Sequence, residues 1–348
     1  MRREEVLSLV ESGRSLAKLD LSGVDLSGAP LEEAIFEETR LRGARLAGAQ
    51  LARAVFLRCD LTNADFTGAR LERTLLDGAA LAGASLRDAE MTGTRLVASD
   101  LTDADLSGAR LSKLAFMVRC TLDGTRWARA TLKKCLVSEA KVSAIDLSGA
   151  LLEQTTIVKA DLTRATLSGA RFARAVLQEC NLSRLDLRGL DLDETQLMEC
   201  NLAGATLSGA RLSRCNFKGA DLSGASLDEA RLDNVLFVQA RLAKASLKRA
   251  RMYQAILQEA DLTGADLSQA SMKQCVLTRA RCPGAFFTGA DLEYADFSHA
   301  DVSKARFTGA TLSRTRFHRT IAKDTVWGDR AGALGDDEEL ARAEDFAR

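Results

Sequence analysis

An apolar residue recurs at every fifth position from Leu16 onward, and few folds can accommodate such a period. With that residue as i, one phase runs 16, 21, 26 and so on to Phe116, and a second runs from Leu122 to Phe317. Each is Leu, Phe, Met, Ile or Val except Trp127 and Cys282. Position i−2 is nearly always small, mostly Ala, with Thr39, Cys59, Thr74, Cys135 and Cys180 among the exceptions. In an α-helix, residues five apart drift about 140° around the axis at each step, so no apolar face forms. A flat strand fails too, because five is odd and successive units would face opposite sides.

A short fixed period with two inward residues signals a solenoid. The workable geometry makes each five-residue unit one side of a square coil. Residue i points inward at mid-side, and i−2 points inward near a corner that admits only a small side chain. Glycine at i+2, as in Gly23, Gly28, Gly43 and Gly48, suits the turn between sides. Four units make a turn of 20 residues, so about sixty units predict about fifteen coils and, at strand spacing, a rod of roughly 70 Å. Identical residues then stack in columns, Leu162, Leu182, Leu202 and Leu222 being one. Phe116 and Leu122 are six residues apart, which places a one-residue slip at 117–121.

The motifs Ala64-Asp65-Phe66, Ala104-Asp105-Leu106, Ala160-Asp161-Leu162, Ala220-Asp221-Leu222 and Ala290-Asp291-Leu292 resemble the Ala-(Asp/Asn)-Leu-x-x consensus of pentapeptide repeat proteins. The resemblance covers about nine-tenths of the chain. It implies an all-β fold, a right-handed quadrilateral parallel β-helix solenoid with short helical caps, in agreement with the square coil. The expected domains are an N-terminal helical cap at 1–15, the β-helix at 16–320, and a C-terminal cap with a short helix at 321–348. Glu4 to Ser12 reads as the first helix, with Val6, Leu7 and Val10 on one side and Gly13 as its stop. At the other end Ile321 and Trp327 are expected to plug the last coil. Asp336 to Ala347 reads as a helix capped by Asp336, with Leu340, Ala343 and Phe346 as its apolar edge.

Composition narrows the function. The 348 residues hold 48 basic and 48 acidic side chains, and a zero net charge argues against a general nucleic-acid binder. The first residues are too acidic for a secretory signal, and no apolar run approaches a membrane span. The chain is therefore expected to be cytoplasmic without membrane contact, signal-independent export staying open.

No constellation of catalytic residues stands out, and no enzyme activity, cofactor, metal or small-molecule substrate is expected. Seven of the eight cysteines, Cys59, Cys120, Cys135, Cys180, Cys200, Cys215 and Cys275, fall at i−2, and Cys282 at i, where Cys acts as a small buried hydrophobe. No Cys-x-x-Cys spacing marks a metal site. The two histidines, His299 and His318, are expected near one edge, one coil apart, facing solvent. Arg70, Arg110, Arg171, Arg211, Arg231 and Arg251 share a side with Glu72, Glu90, Glu153, Asp191 and Asp233, which reads as a mixed ladder of solvated charge.

The expected function is thus a non-enzymatic scaffold that binds a protein partner or a second copy of itself. Resemblance supplies two alternatives: a DNA-mimicking protein that binds gyrase, and a component of type VI secretion. The zero net charge and the lack of a long loop depart from the first pattern. One side of the square stands apart from the other three, being the side centred on Phe36, Phe56, Leu76, Leu96, Phe116, Val137 and Ile157. Its outward residues include Ile35, Val55, Leu57, Leu75, Val97, Met117, Val118, Leu136, Val158, Val176, Met198, Leu236, Val238, Ile256 and Val276. An apolar stripe of that length exceeds what a soluble monomer usually exposes, and predicts an interface.

Overall fold

Each five-residue side is tied to the side below it through backbone hydrogen bonds. Arg40 N–H donates to the Leu19 carbonyl (2.9 Å), Leu21 N–H to Arg40 (2.8 Å), and Gly23 N–H to Arg42 (2.8 Å). The pattern satisfies the backbone of a segment too short to be an ordinary strand. Most corners are closed by a turn in which the i+3 N–H reaches the carbonyl of i, as from Val24 to Leu21 (3.2 Å). The i+2 residue is left-handed there. Gly23 has φ +67°, but Lys18, Glu33 and Arg53 adopt the same sign without being glycine. The consensus Asp explains part of this tolerance. Its carboxylate accepts the N–H two residues on, as from Thr62 to Asp60 (3.2 Å) before left-handed Asn63 and Thr102 to Asp100 (3.0 Å) before left-handed Asp103, holding the turn through a local side-chain bond.

The computed structural model describes residues 1–346, and the chain forms two units, Met1–Val176 and Leu177–Arg348. Each is a four-sided parallel β-helix whose paired residues mostly lie 20 apart.

In the first unit, α1 (Arg3–Glu11) precedes the coils. Val6 is buried, Gly13 closes the helix at φ +66°, and the Arg3 side chain donates to the Ser27 carbonyl (2.8 Å), anchoring the cap to the first coil. The side carrying the apolar positions is a parallel sheet running from Leu16–Ala17 through Ile35–Glu37, Val55–Leu57 and Leu75–Asp77 to Thr156–Val158. A second sheet runs from Glu90–Thr92 to Arg171–Ala173. The core is the predicted stack: Leu16, Leu26, Phe36, Leu46 and Phe56 are inaccessible, and Phe36 stacks on Phe56 at 4.7 Å. A small apolar cavity sits where Val137, Val142 and Ile157 replace longer side chains beside Trp127, whose buried indole N–H lacks a partner.

The slip lies elsewhere than expected. Leu96 pairs with Met117, and Arg95 with Phe116, so Met117 points inward while Phe116 is outward and half-buried. The extra residue sits at Lys113–Leu114, two consecutive left-handed residues (φ 50° and 63°), with Leu114 60% exposed. Phe116 and Met117 are both apolar, so spacing alone could not choose between them. Burial of Ala115 as the small i−2 residue decides for Met117.

The second unit, from Leu177 onward, is built with the same bonds. Phe217 stacks on Phe237 (5.1 Å) and Phe287 on Phe307 (4.8 Å), and Trp327 closes the column against Phe307 (4.9 Å) with the Arg330 guanidinium over its ring (4.4 Å). Ile321 does not share in this plug. It takes an outward i−1 position, bridged to Asp301, and is 59% exposed.

The C-terminal helix α2 (Glu338–Phe346) also differs from expectation. Its cap is Asp337, which accepts the Leu340 N–H (3.0 Å), because Asp336 is engaged by the Arg319 N–H (2.6 Å). The expected apolar edge is unused, since Leu340, Ala343 and Phe346 are exposed. The helix is instead held by polar contacts. Ala347, expected as its last residue, lies outside the described residues.

Candidate functional site

The candidate interaction surface is built by register. In the first unit, parallel pairing aligns Ile35 with Val55 and Leu75, and Phe116 with Leu136. On the i+1 row, Val97 aligns with Val118, and Leu57 lies between Glu37 and Asp77. Val158 and Val176 stand farther along, both half-buried. Met117, expected among these, belongs to the core, and Phe116 takes its place on the face. Arg95 and Thr156 interrupt the i−1 row. In the second unit Leu236, Ile256 and Val276 follow one another, with Val238 beside them and Met198 set apart. Asn216 and Lys218 interrupt that run, and Asp296 ends it.

Stacking limits how much of each residue meets water. Every outward side chain is flanked by the coils above and below, so most of these residues are half-buried. Ile35, near the start of its column, is 43% exposed. The face thus offers rows of β-branched and aliphatic side chains with their outer edges accessible.

The other sides carry paired charge. In the first unit Arg53 donates to Glu33 (2.8 Å), Arg42 pairs with Asp60, and Glu90 lies between Arg70 and Arg110, while at the edge of the apolar side Arg58 bridges Glu37 and Glu38. In the second, Arg211 contacts Asp191 and Asp193, and Lys273 contacts Asp291 and Glu293. The ladder is mixed, with Arg211, Arg231 and Arg251 aligned between Asp191 at one end and Ser271 at the other. These exposed pairs are worth little individually.

All eight cysteines are buried. Burial pushes the Cys135 thiol up to about 11 and the Cys275 thiol up to about 12. Several act as donors at the corner: Cys200 Sγ reaches the Leu177 carbonyl (2.9 Å) and Cys275 Sγ the Met252 carbonyl (2.8 Å). Thr39 and Thr74 make the same bond to Leu16 and Leu51.

The histidines are not solvated. His318 is fully buried and His299 half-buried, because α2 folds over them. His299 Nε2 lies 3.0 Å from Glu344 Oε1 and His318 Nε2 lies 3.4 Å from Glu344 Oε2. Burial would raise the Glu344 carboxyl, but the two imidazoles outweigh it and hold it below its usual range. Arg319 adds contacts to Glu344 (3.3 Å), Asp345 (2.7 Å) and the Ala341 carbonyl (2.8 Å). The sequence signal for this cluster was absent, since Glu344 lies outside the repeat.

The family profile described as pentapeptide repeats (8 copies) matches over twelve overlapping segments that run together from residue 20 to 112 and from 145 to 325. The chain belongs to the pentapeptide repeat family. The unmatched stretch contains the insertion at Lys113–Leu114. No curated protein matches the chain. Among solved structures, it is similar to a trypsin-treated form of QnrB1, a plasmid-mediated fluoroquinolone resistance protein, at 19% identity over 57% of this chain and 96% of that one (TM-score 0.40). It is also similar to HetL, a pentapeptide repeat protein involved in heterocyst differentiation regulation in the cyanobacterium Nostoc, at 23% identity over 90% and 96% (TM-score 0.19). A third is a pentapeptide repeat protein from the Arabidopsis thaliana thylakoid lumen, at 22% identity over 30% and 65% (TM-score 0.24). Among the described residues no helix is long and apolar enough to cross a membrane.

Proposed function

We propose that this pentapeptide repeat protein is a non-enzymatic scaffold that associates through its apolar sheet face, most simply with a second copy of itself. The observation that carries the reading is the aligned row Ile35, Val55 and Leu75, with Leu57 and Val97 beside it, on a regular parallel sheet. Rows at strand spacing match the rows of an identical sheet, and a second sheet about 10 Å away would remove their outer edges from water. The paired charges on the remaining sides favour this over a DNA mimic, which needs carboxylates free of cationic partners. The test is sedimentation velocity on the parent and on a variant carrying Ile35→Glu, Val55→Glu and Leu75→Glu. The parent should sediment as a dimer and the variant as a folded monomer. A monomeric parent over the whole accessible concentration range contradicts self-association.

A further inference from the structure

The strongest unassigned feature is where two repeat corners meet the C-terminal helix. His299, at a left-handed corner, and His318, beside the next corner, both direct Nε2 at the carboxylate of Glu344 on α2. One ligand atom from each residue lies within 4.8 Å of the others. The two rings meet edge to face, with centroids 5.5 Å apart. We propose that His299, His318 and Glu344 bind one divalent transition-metal ion of the zinc class, which fastens α2 to the last coils.

Geometry supports this first. A tetrahedral ion about 2.0–2.1 Å from its ligands separates them by about 3.3 Å. The distances of 3.0 Å from His299 Nε2 to Glu344 Oε1 and 3.4 Å from His318 Nε2 to Glu344 Oε2 are close to that, and a set with one atom from each residue lies within 4.8 Å. Two imidazoles and one carboxylate suit zinc and leave a fourth position for water. His318 is buried, so its ring is already held in place, and the rearrangement on binding is confined to the partner of its Nδ1.

The surrounding charge favours a cation. Asp336 Oδ1 lies 3.9 Å from His318 Nδ1, and Asp345 pairs with Arg319 (2.7 Å). Glu344 and Asp336 thus place two carboxylates beside the imidazoles. Arg319 keeps Asp345 and the Ala341 carbonyl when Glu344 turns to an ion.

The proton inventory also closes. His318 Nδ1 accepts the Asp337 N–H (3.0 Å), so in the metal-free protein its proton sits on Nε2, directed at Glu344. His299 likewise donates from Nε2 to the same carboxylate. The ion takes the place of these two hydrogen bonds. Each imidazole proton moves to Nδ1, and for His318 the Asp336 carboxylate becomes its acceptor in place of the Asp337 contact. Such carboxylate–histidine pairing is the usual support of a metal-bound imidazole.

The test uses untagged full-length protein, stripped with chelator and titrated with Zn²⁺ alone by calorimetry, with bound metal counted by elemental analysis. One zinc per chain and a raised melting temperature are expected. His299→Ala and Glu344→Gln should each lower affinity by about 100-fold or more, since even supporting residues cost 10–100-fold. Melting curves without metal show whether each variant keeps the parent fold. Co²⁺ should give a tetrahedral absorption band in the parent that both variants lose. No stoichiometric binding, or equal binding by folded parent and variants, overturns the proposal.

Discussion

Leu96 pairs with Met117 across 21 residues, although Leu76 below it pairs with Leu96 across 20. One extra residue is absorbed without leaving the ladder, because Lys113 and Leu114 both turn left-handed and Leu114 is expelled into solvent. A left-handed non-glycine residue costs about 1–2 kcal/mol.

Deleting Leu114 should therefore leave the melting temperature unchanged or raise it. Deleting Ala130, a buried corner residue in an ordinary coil, should unfold the protein. Equal loss from both deletions, measured by thermal melting, would show that the insertion is structurally required.

The corner position is defined by size more than by polarity. Thr74 Oγ1 donates to the Leu51 carbonyl (2.7 Å), but that carbonyl also accepts the Ala54 N–H (2.9 Å). Thr74→Ala should cost less than about 1 kcal/mol, since no acceptor is orphaned. Thr74→Leu should cost about 1–3 kcal/mol through overpacking. Denaturant melts that reverse this order would contradict the corner geometry.

The inward assignment of i has its own test in the second unit. Leu202 is fully buried between Leu182 and Leu222, also buried. An unpaired carboxylate there costs several kcal/mol, so Leu202→Asp should be insoluble or unfolded. A variant that melts like the parent would show that this column does not face inward.

How much of this was legible depends on range. Period five is a local property, and it gave the coil, the inward Leu and Ala columns and the buried cysteines, while the spacing of Val6, Leu7 and Val10 before Gly13 gave α1 to within a residue at each end. The slip was legible only to within a few residues, because Phe116 and Met117 are interchangeable as apolar residues until burial of Ala115 sets the phase. Ile321 was misassigned because its hydrophobicity suggested a plug, whereas the repeat continued through Ala322 to Trp327. The histidine cluster was not legible at all. It depends on Glu344 returning from 26 and 45 residues away, along a helix whose apolar residues point to solvent.

The thiols predict an alkaline limit. Burial raises the Cys135 pKa from 9.0 to about 11, so the folded protein holds this proton more tightly than the unfolded chain. The associated stability is complete below pH 9 and is lost as the pH rises through about 11. Thermal melts between pH 8 and 11 (roughly the range of these thiols) should fall with pH. In the same native protein, thiol reagents should modify few cysteines until it unfolds. Rapid labelling of the eight thiols at neutral pH would contradict the buried assignment.

That inertness makes the sheet face directly measurable. Val55 lies mid-row between Ile35 and Leu75, so Val55→Cys introduces an outward thiol among buried ones. Its labelling rate is then read against protein concentration, with mass followed by light scattering. The account predicts that labelling slows as the mass doubles. A rate that stays constant at every concentration, with the mass fixed at one chain or doubled, would contradict association through this face.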